Sequence, residues 1–175
     1  MRIRSIAGLI LAASAGCSSS DEPIDPLDRE LVRELSLAQG TASGSAHAGT
    51  FTIEFSTDHC DCPNLEFDGQ TVDICTLAEL GGEASVELTE GSGVLAITAA
   101  SISLTGAIEP DGSFMVAEIR NHTTLAGPIE LLRRLDGQFS DANTASGWAG
   151  QRVLGELAGD NVDCRWIGSF VINRS

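Results

Sequence analysis

The spaced pair Gly-x-Phe occurs four times, at Gly49-Thr50-Phe51, Gly112-Ser113-Phe114, Gly137-Gln138-Phe139 and Gly168-Ser169-Phe170, and uses four of the six Phe residues. Two positions apart on a strand, Gly and Phe share a face. The missing side chain permits sharp coiling, and an aromatic ring nearby can cover the gap. Small closed barrels and tightly curved sandwiches need such kinks. The repeat therefore constrains the chain to strongly bent β-sheet.

Period-two patterning agrees. In Ile102–Ile108, Ile102, Leu104 and Ile108 take one face and Ser103 and Thr105 the other, as in a strand with one side on a core. Glu109-Pro110-Asp111-Gly112 is a turn, with Pro to fix φ and Gly to accept a positive φ, and Ser113–Arg120 returns from it. Further strands are expected at Thr50–Ser56, Thr71–Thr76, Ala84–Thr89, Val94–Thr98 and Asp163–Asn173, with turns at Asp68-Gly69, Gly81-Gly82 and Gly91-Ser92-Gly93. Residues 128–136 would pass for a short helix. Read by twos, Ile129, Leu131 and Leu135 share a face that runs on to Phe139, which favours a strand. About eight strands in succession predict an all-β domain, an antiparallel up-and-down barrel or a curled sandwich.

The N-terminus reads as an address. Arg2 and Arg4 precede an apolar stretch, Ile6–Ala13, too short to span a bilayer core of about 20 apolar residues. Ala13-Ser14-Ala15 fits the small-x-small site of ordinary signal peptidase. Ser14-Ala15-Gly16-Cys17 resembles the lipobox of bacterial lipoproteins, with Ser14 where Leu is usual. The cysteine count favours the lipobox. Five Cys is odd for an exported chain, and lipid on Cys17 leaves Cys60, Cys62, Cys75 and Cys164 to pair. That resemblance implies residues 1–16 as a lipoprotein signal peptide and a diacylglyceryl thioether with N-acylation at Cys17. The membrane is then the partner through that lipid. It also implies the cell envelope, with Ser18 compatible with outer-membrane sorting and either a periplasmic or a surface face.

Residues 17–35 then comprise the lipidated Cys, a polar tether and a short helix, with Asp25 as its expected cap, Pro26 in its first turn and Leu27, Leu31, Val32 and Leu35 as its apolar stripe. Residues 36–175 form the β domain. Within it, Leu135-x-Gly137-x-Phe139, Ser146-Gly147-Trp148 and Cys164-x-Trp166-x-Gly168-x-Phe170 resemble the C-terminal half of small envelope lipoproteins with lipocalin-like barrels.

Cys60 and Cys62 are too close to bond to each other with ordinary geometry, so each is expected to reach Cys75 or Cys164. If the first strand closes on the last, Cys60–Cys164 with Cys62–Cys75 is the preferred pairing, and the swapped pairing is the alternative. A metal site would instead draw on the cluster His59-Cys60-Asp61-Cys62, with His47 or His122 completing four ligands, but the spacing matches no zinc finger or ribbon and exported thiols oxidise first. No metal or other cofactor is assigned, and His122 is expected in a solvated turn.

The formal charge is −15, with 25 Asp plus Glu against 10 Arg and no Lys. That balance disfavours nucleic acid as a partner. Between Arg33 and Arg120 lie 14 acids and no basic residue, a solvated acidic face or a weak collector of divalent cations. Asp58, Asp61, Glu66, Asp68 and Asp73 lack the ordered spacing of an EF-hand. The common nucleophile, zinc-protease, phosphate-loop and dinucleotide signatures are absent, so no catalytic residue is assigned. The reading is a lipid-anchored envelope protein with a non-catalytic binding or structural β domain. The alternatives are a lipocalin-like carrier of a small apolar ligand, a divalent-cation binder and a hydrolase with an unrecognised site. Phe51, Phe114, Phe139 and Phe170 pointing inward would fill a carrier's lumen.

Overall fold

The computed structural model describes residues 25–67, 69–77, 82–124, 127–157 and 159–175. The signal segment, Cys17, the tether, and Asp68 and Gly81 of the expected turns lie outside the described residues. A short helix α1 (Arg29–Leu37) precedes β1 (Gly49–Asp61), β2 (Asn64–Phe67), β3 (Gln70–Asp73) and a helical turn α2 (Ile74–Leu77). Then follow β4 (Gly82–Gly91), β5 (Val94–Ala99), β6 (Ile102–Ile108), β7 (Ser113–Thr124), β8 (Gly127–Phe139), β9 (Thr144–Leu157) and β10 (Asp160–Arg174). Eight strands close an antiparallel barrel in the order β1-β10-β9-β8-β7-β6-β5-β4, and β2 and β3 form a separate hairpin. The first and last strands of the barrel pair as expected.

The four Gly-x-Phe rings all point inward and are buried. Register shows how they fit. Phe114, Gly137, Gly147 and Phe170 lie opposite one another across β7, β8, β9 and β10. The row continues through Phe55 on β1 to Gly82 on β4. A Cβ on Gly137 would stand 2.5 Å from the ring of Phe114 and 2.7 Å from that of Phe170, so the glycine is the space the rings occupy. Ile53, Leu88, Leu95, Ile97, Leu104 and Ile172 complete this core. The segment from α1 to β1 folds over the end of the barrel where β1 begins. A Cβ on Gly93 would stand 2.0 Å from the Gly40 carbonyl oxygen and one on Gly40 2.2 Å from that of Ile108, and Gly40 N–H donates to the Gly93 carbonyl at 2.8 Å. Ala42 joins the core and His47 stacks on Phe139 with centroids 3.9 Å apart.

The opposite end is built differently. β6 pairs with β7 only over Thr105–Ile108, and β1 pairs with β4 only over Gly49–Phe55. Beyond those limits, β7, β8, β9, β10 and β1 continue as a curved wall of five strands. Its inner face carries a second core of Val153, Val162, Cys164 and Trp166, with Leu65 and Ile74 of the β2–β3–α2 excursion packed against it.

Helix α1 lies outside the barrel, with Val32 and Leu35 against Ala117, Ile119, Leu132 and Leu154. Its cap is Asp28 and not Asp25. The Asp28 carboxylate accepts from Glu30 N–H at 2.9 Å and Leu31 N–H at 3.2 Å. Asp25 instead closes a preceding turn that tucks Leu27 into the protein, accepting from Leu27 N–H. Its carboxylate also pairs with Arg152 at 3.2 Å and Arg165 at 2.9 Å, which fixes the start of the helix to β9 and β10.

Residues 128–136 are strand, inside β8. Three local expectations need correction. The strand expected at Thr71–Thr76 is four residues long and gives way to α2, because Asp73 accepts from Cys75 N–H and caps the turn. His122 is not in a turn but on β7, which runs on to Thr124, and it is exposed there. Strand β9, 14 residues long, was not expected at all.

Candidate functional site

All four domain cysteines are paired, as Cys60–Cys75 and Cys62–Cys164. This is the swapped alternative, and a β-bulge explains it. The β1–β10 register slips between Thr57 and His59. Before the slip, Phe51 faces Arg174. After it, Cys60 faces Trp166 and Asp61 faces Arg165, which brings Cys62 opposite Cys164. The extra residue also reverses the inward parity of β1, from Phe51, Ile53 and Phe55 to Cys60 and Cys62. Cys60 is left to take Cys75 from the excursion.

Cys60, Cys62 and Cys75 place their sulfurs within 4.8 Å of one another, which is the only potential metal-ligand group of three among the described residues. All three are tied up in disulfides. None of the three histidines belongs to the group. His47 is at the other end of the barrel, where its backbone N–H donates to Glu90 Oε2 at 2.8 Å and its Nδ1 lies 3.1 Å from the same oxygen. His122 faces solvent. The described acids of the 58–73 stretch do not converge either. Glu66 accepts from Thr71, and Asp73 is the α2 cap.

One polar row crosses the barrel interior where the two cores meet. Glu118, Arg133, Gln151 and Trp166 face one another in turn on β7, β8, β9 and β10. Glu118 is 7% exposed and is the one buried charged residue among those described. Its Oε2 accepts from Arg133 Nη1 at 3.2 Å and from Ser103 N–H at 3.4 Å, and Arg120 stands 4.0 Å from its Oε1. Arg133 Nε donates to Gln151 Oε1 at 2.7 Å. The Ser101 carbonyl, in the β5–β6 turn, accepts from Arg133 at 2.7 Å and Arg120 at 3.0 Å. These arginines thus span the split between β6 and β7. A paired, hydrogen-bonded charge is the arrangement in which a carboxylate tolerates burial.

A cavity of about 280 Å³ opens beside this row. Phe55, Leu104, Leu135 and Ala149 form its apolar side, Arg133 and Gln151 its polar side, and Gly82 to Ala84 with Ser101 and Ile102 its rim. Sequence reading missed Glu118, Arg133 and Gln151. The signal was present in Ile129, Leu131, Arg133 and Leu135, where a cation occupies the apolar parity of a strand. Of the two Trp, Trp166 is core, whereas Trp148 lies on the outer wall over Gly150 with the Arg134 guanidinium 5.8 Å from its ring.

No protein family, curated protein or solved structure matches this chain.

Proposed function

We propose that this chain is a lipid-anchored lipoprotein of the cell envelope, held at the outer membrane through acylated Cys17, whose β-barrel binds a small molecule without transforming it. One observation carries the binding part. Side chains fill the barrel interior at both ends yet leave a single-molecule cavity between the two cores, lined by apolar groups and a few polar ones. Ligand sites commonly have that make-up. The inward Phe rings favour this confined site over a lumen-wide carrier, because they occupy the deep part of the barrel.

The non-catalytic reading rests on the site's chemistry. Arg133 is paired with Glu118, and among the described residues no nucleophile with an adjacent base lines the cavity. The anchor rests on the lipobox-like sequence and on the four remaining cysteines forming two disulfides, which fits an oxidising compartment. Intact mass spectrometry of protein purified from its own host tests both parts. The expected mass is that of a chain beginning at Cys17 with acyl groups, four hydrogens lighter for two disulfides. A small molecule retained under native conditions supports the binding reading. An uncleaved, unacylated chain overturns the anchor.

A further inference from the structure

Resting on that binding reading, we infer that the cavity takes a compact organic anion, its acid group held by Arg133 and Gln151 and its apolar body against Phe55, Leu104, Leu135 and Ala149. The case is a count of donors and acceptors. Arg133 spends Nε on Gln151 and Nη1 on Ser101 and Glu118, and its Nη2 donates to no described residue. Gln151 accepts through Oε1, and its Nε2 likewise donates to none. Both side chains line the cavity. Trp166, next on the row, has its Nε1 buried without a partner. The row is therefore rich in N–H groups and short of acceptors. Among the described residues only the Trp166 donor is buried without a partner, while those of Arg133 and Gln151 open to the cavity, where a ligand can accept from them.

Charge points the same way. Glu118 lies between Arg133 and Arg120, so the row carries one surplus positive charge in a chain of net charge −15. The one acid among the cavity-lining residues, Glu83, is exposed at the rim on β4, the strand across the opening from Arg133. A carboxylate brings two acceptor oxygens that match a guanidinium edge. An alcohol satisfies fewer of these donors, and an ammonium group satisfies none. The volume limits the body of the ligand. At about 280 Å³ the cavity is at the lower end for small-molecule sites, which suits a ring or short branched chain and not a membrane lipid tail.

Calorimetric titration of the whole chain with benzoate, benzyl alcohol and benzylammonium tests the assignment, since the three probes share a shape and differ in charge. Benzoate is expected to bind about tenfold or more tightly than benzyl alcohol, and benzylammonium not at all. Replacing both charges together, Glu118→Gln with Arg133→Gln, should bring benzoate down to the level of benzyl alcohol. Ala84→Phe, at the rim, should remove binding of both. If benzoate and benzyl alcohol bind alike and Ala84→Phe abolishes both, the anion assignment is overturned while the binding barrel stands. If none of the three binds, both fall.

Discussion

Where β1 begins, eight strands meet around interlocked rings and glycines, and among the described residues no disulfide crosses the barrel. Where β1 finishes, five strands carry on without the other three, and the concave face they leave is covered by the β2–β3–α2 excursion through two disulfides. The first end is stabilised by shape, with close packing of Phe51, Phe114, Phe139 and Phe170. At the second, fewer ladders close and the apolar supply is thinner, so cross-links take over part of the role of a core. The lesson is that a barrel need not be uniformly closed. Its incomplete end can be held by cross-links, and the seam between the two regimes is where a polar row and a cavity occur.

The largest effect that would probe this contrast is at the packed end. Phe170→Ala removes a ring that sits on Gly137 and should cost about 3–5 kcal/mol in denaturant unfolding. A loss under about 1 kcal/mol would mean that shape is not what holds this end. At the stapled end, Cys62→Ala with Cys164→Ala should cost about 2–5 kcal/mol. Its loop closes 102 residues against 15 for Cys60–Cys75, so the corresponding double replacement of Cys60 and Cys75 should cost less. Hydrogen exchange in the Cys62/Cys164 variant sharpens the point. Amides near Cys164 on β10 should lose protection while those around Phe114 and Phe139 keep it, and uniform loss would erase the distinction.

A third prediction is smaller. Asp28→Ala removes the cap of α1 and should cost about 1 kcal/mol, read by thermal unfolding. The smallest concerns pH. A hydrogen bond from Arg152 holds the Asp163 carboxyl below its ordinary range, and Arg152 is raised in turn by the same bond. A carboxylate lowered on folding contributes stability above its unfolded value of about 3.9 and loses it as pH falls through the folded value. Asp163 is half exposed, so solvent and salt screening keep the contribution slight. Its carboxyl resonance should titrate below about 3.9 and move up toward that value in Arg152→Gln.

The packed end was largely legible in the sequence. Ile102–Ile108, the turn at Pro110-Asp111-Gly112 and the Gly-x-Phe repeats identified strands and the rings that fill this end of the lumen. Strand β9 was not legible because its inward positions are Ala145, Gly147, Ala149, Gln151, Val153 and Gly155, of which only Val153 is a large apolar residue. The Ala and Gly positions are small because rings from neighbouring strands and the cavity occupy the space. The disulfide pairing escaped for a different reason. A single extra residue between Thr57 and His59 decides which cysteine meets Cys164, and nothing in local composition marks it. The cap of α1 was displaced by three residues because two aspartates flank Pro26-Leu27, and burial of Leu27 chose between them.

That single slip between Thr57 and His59 makes the Cys62–Cys164 bond a clamp on one register of the seam. Cys62 leaves the ribosome 102 residues ahead of its mate, with two other thiols close at hand in Cys60 and Cys75. In the folded chain it meets Cys164 face to face because β10 lies against β1 with the bulge in place. Once made, the bond holds the closing seam of the barrel in that one alignment.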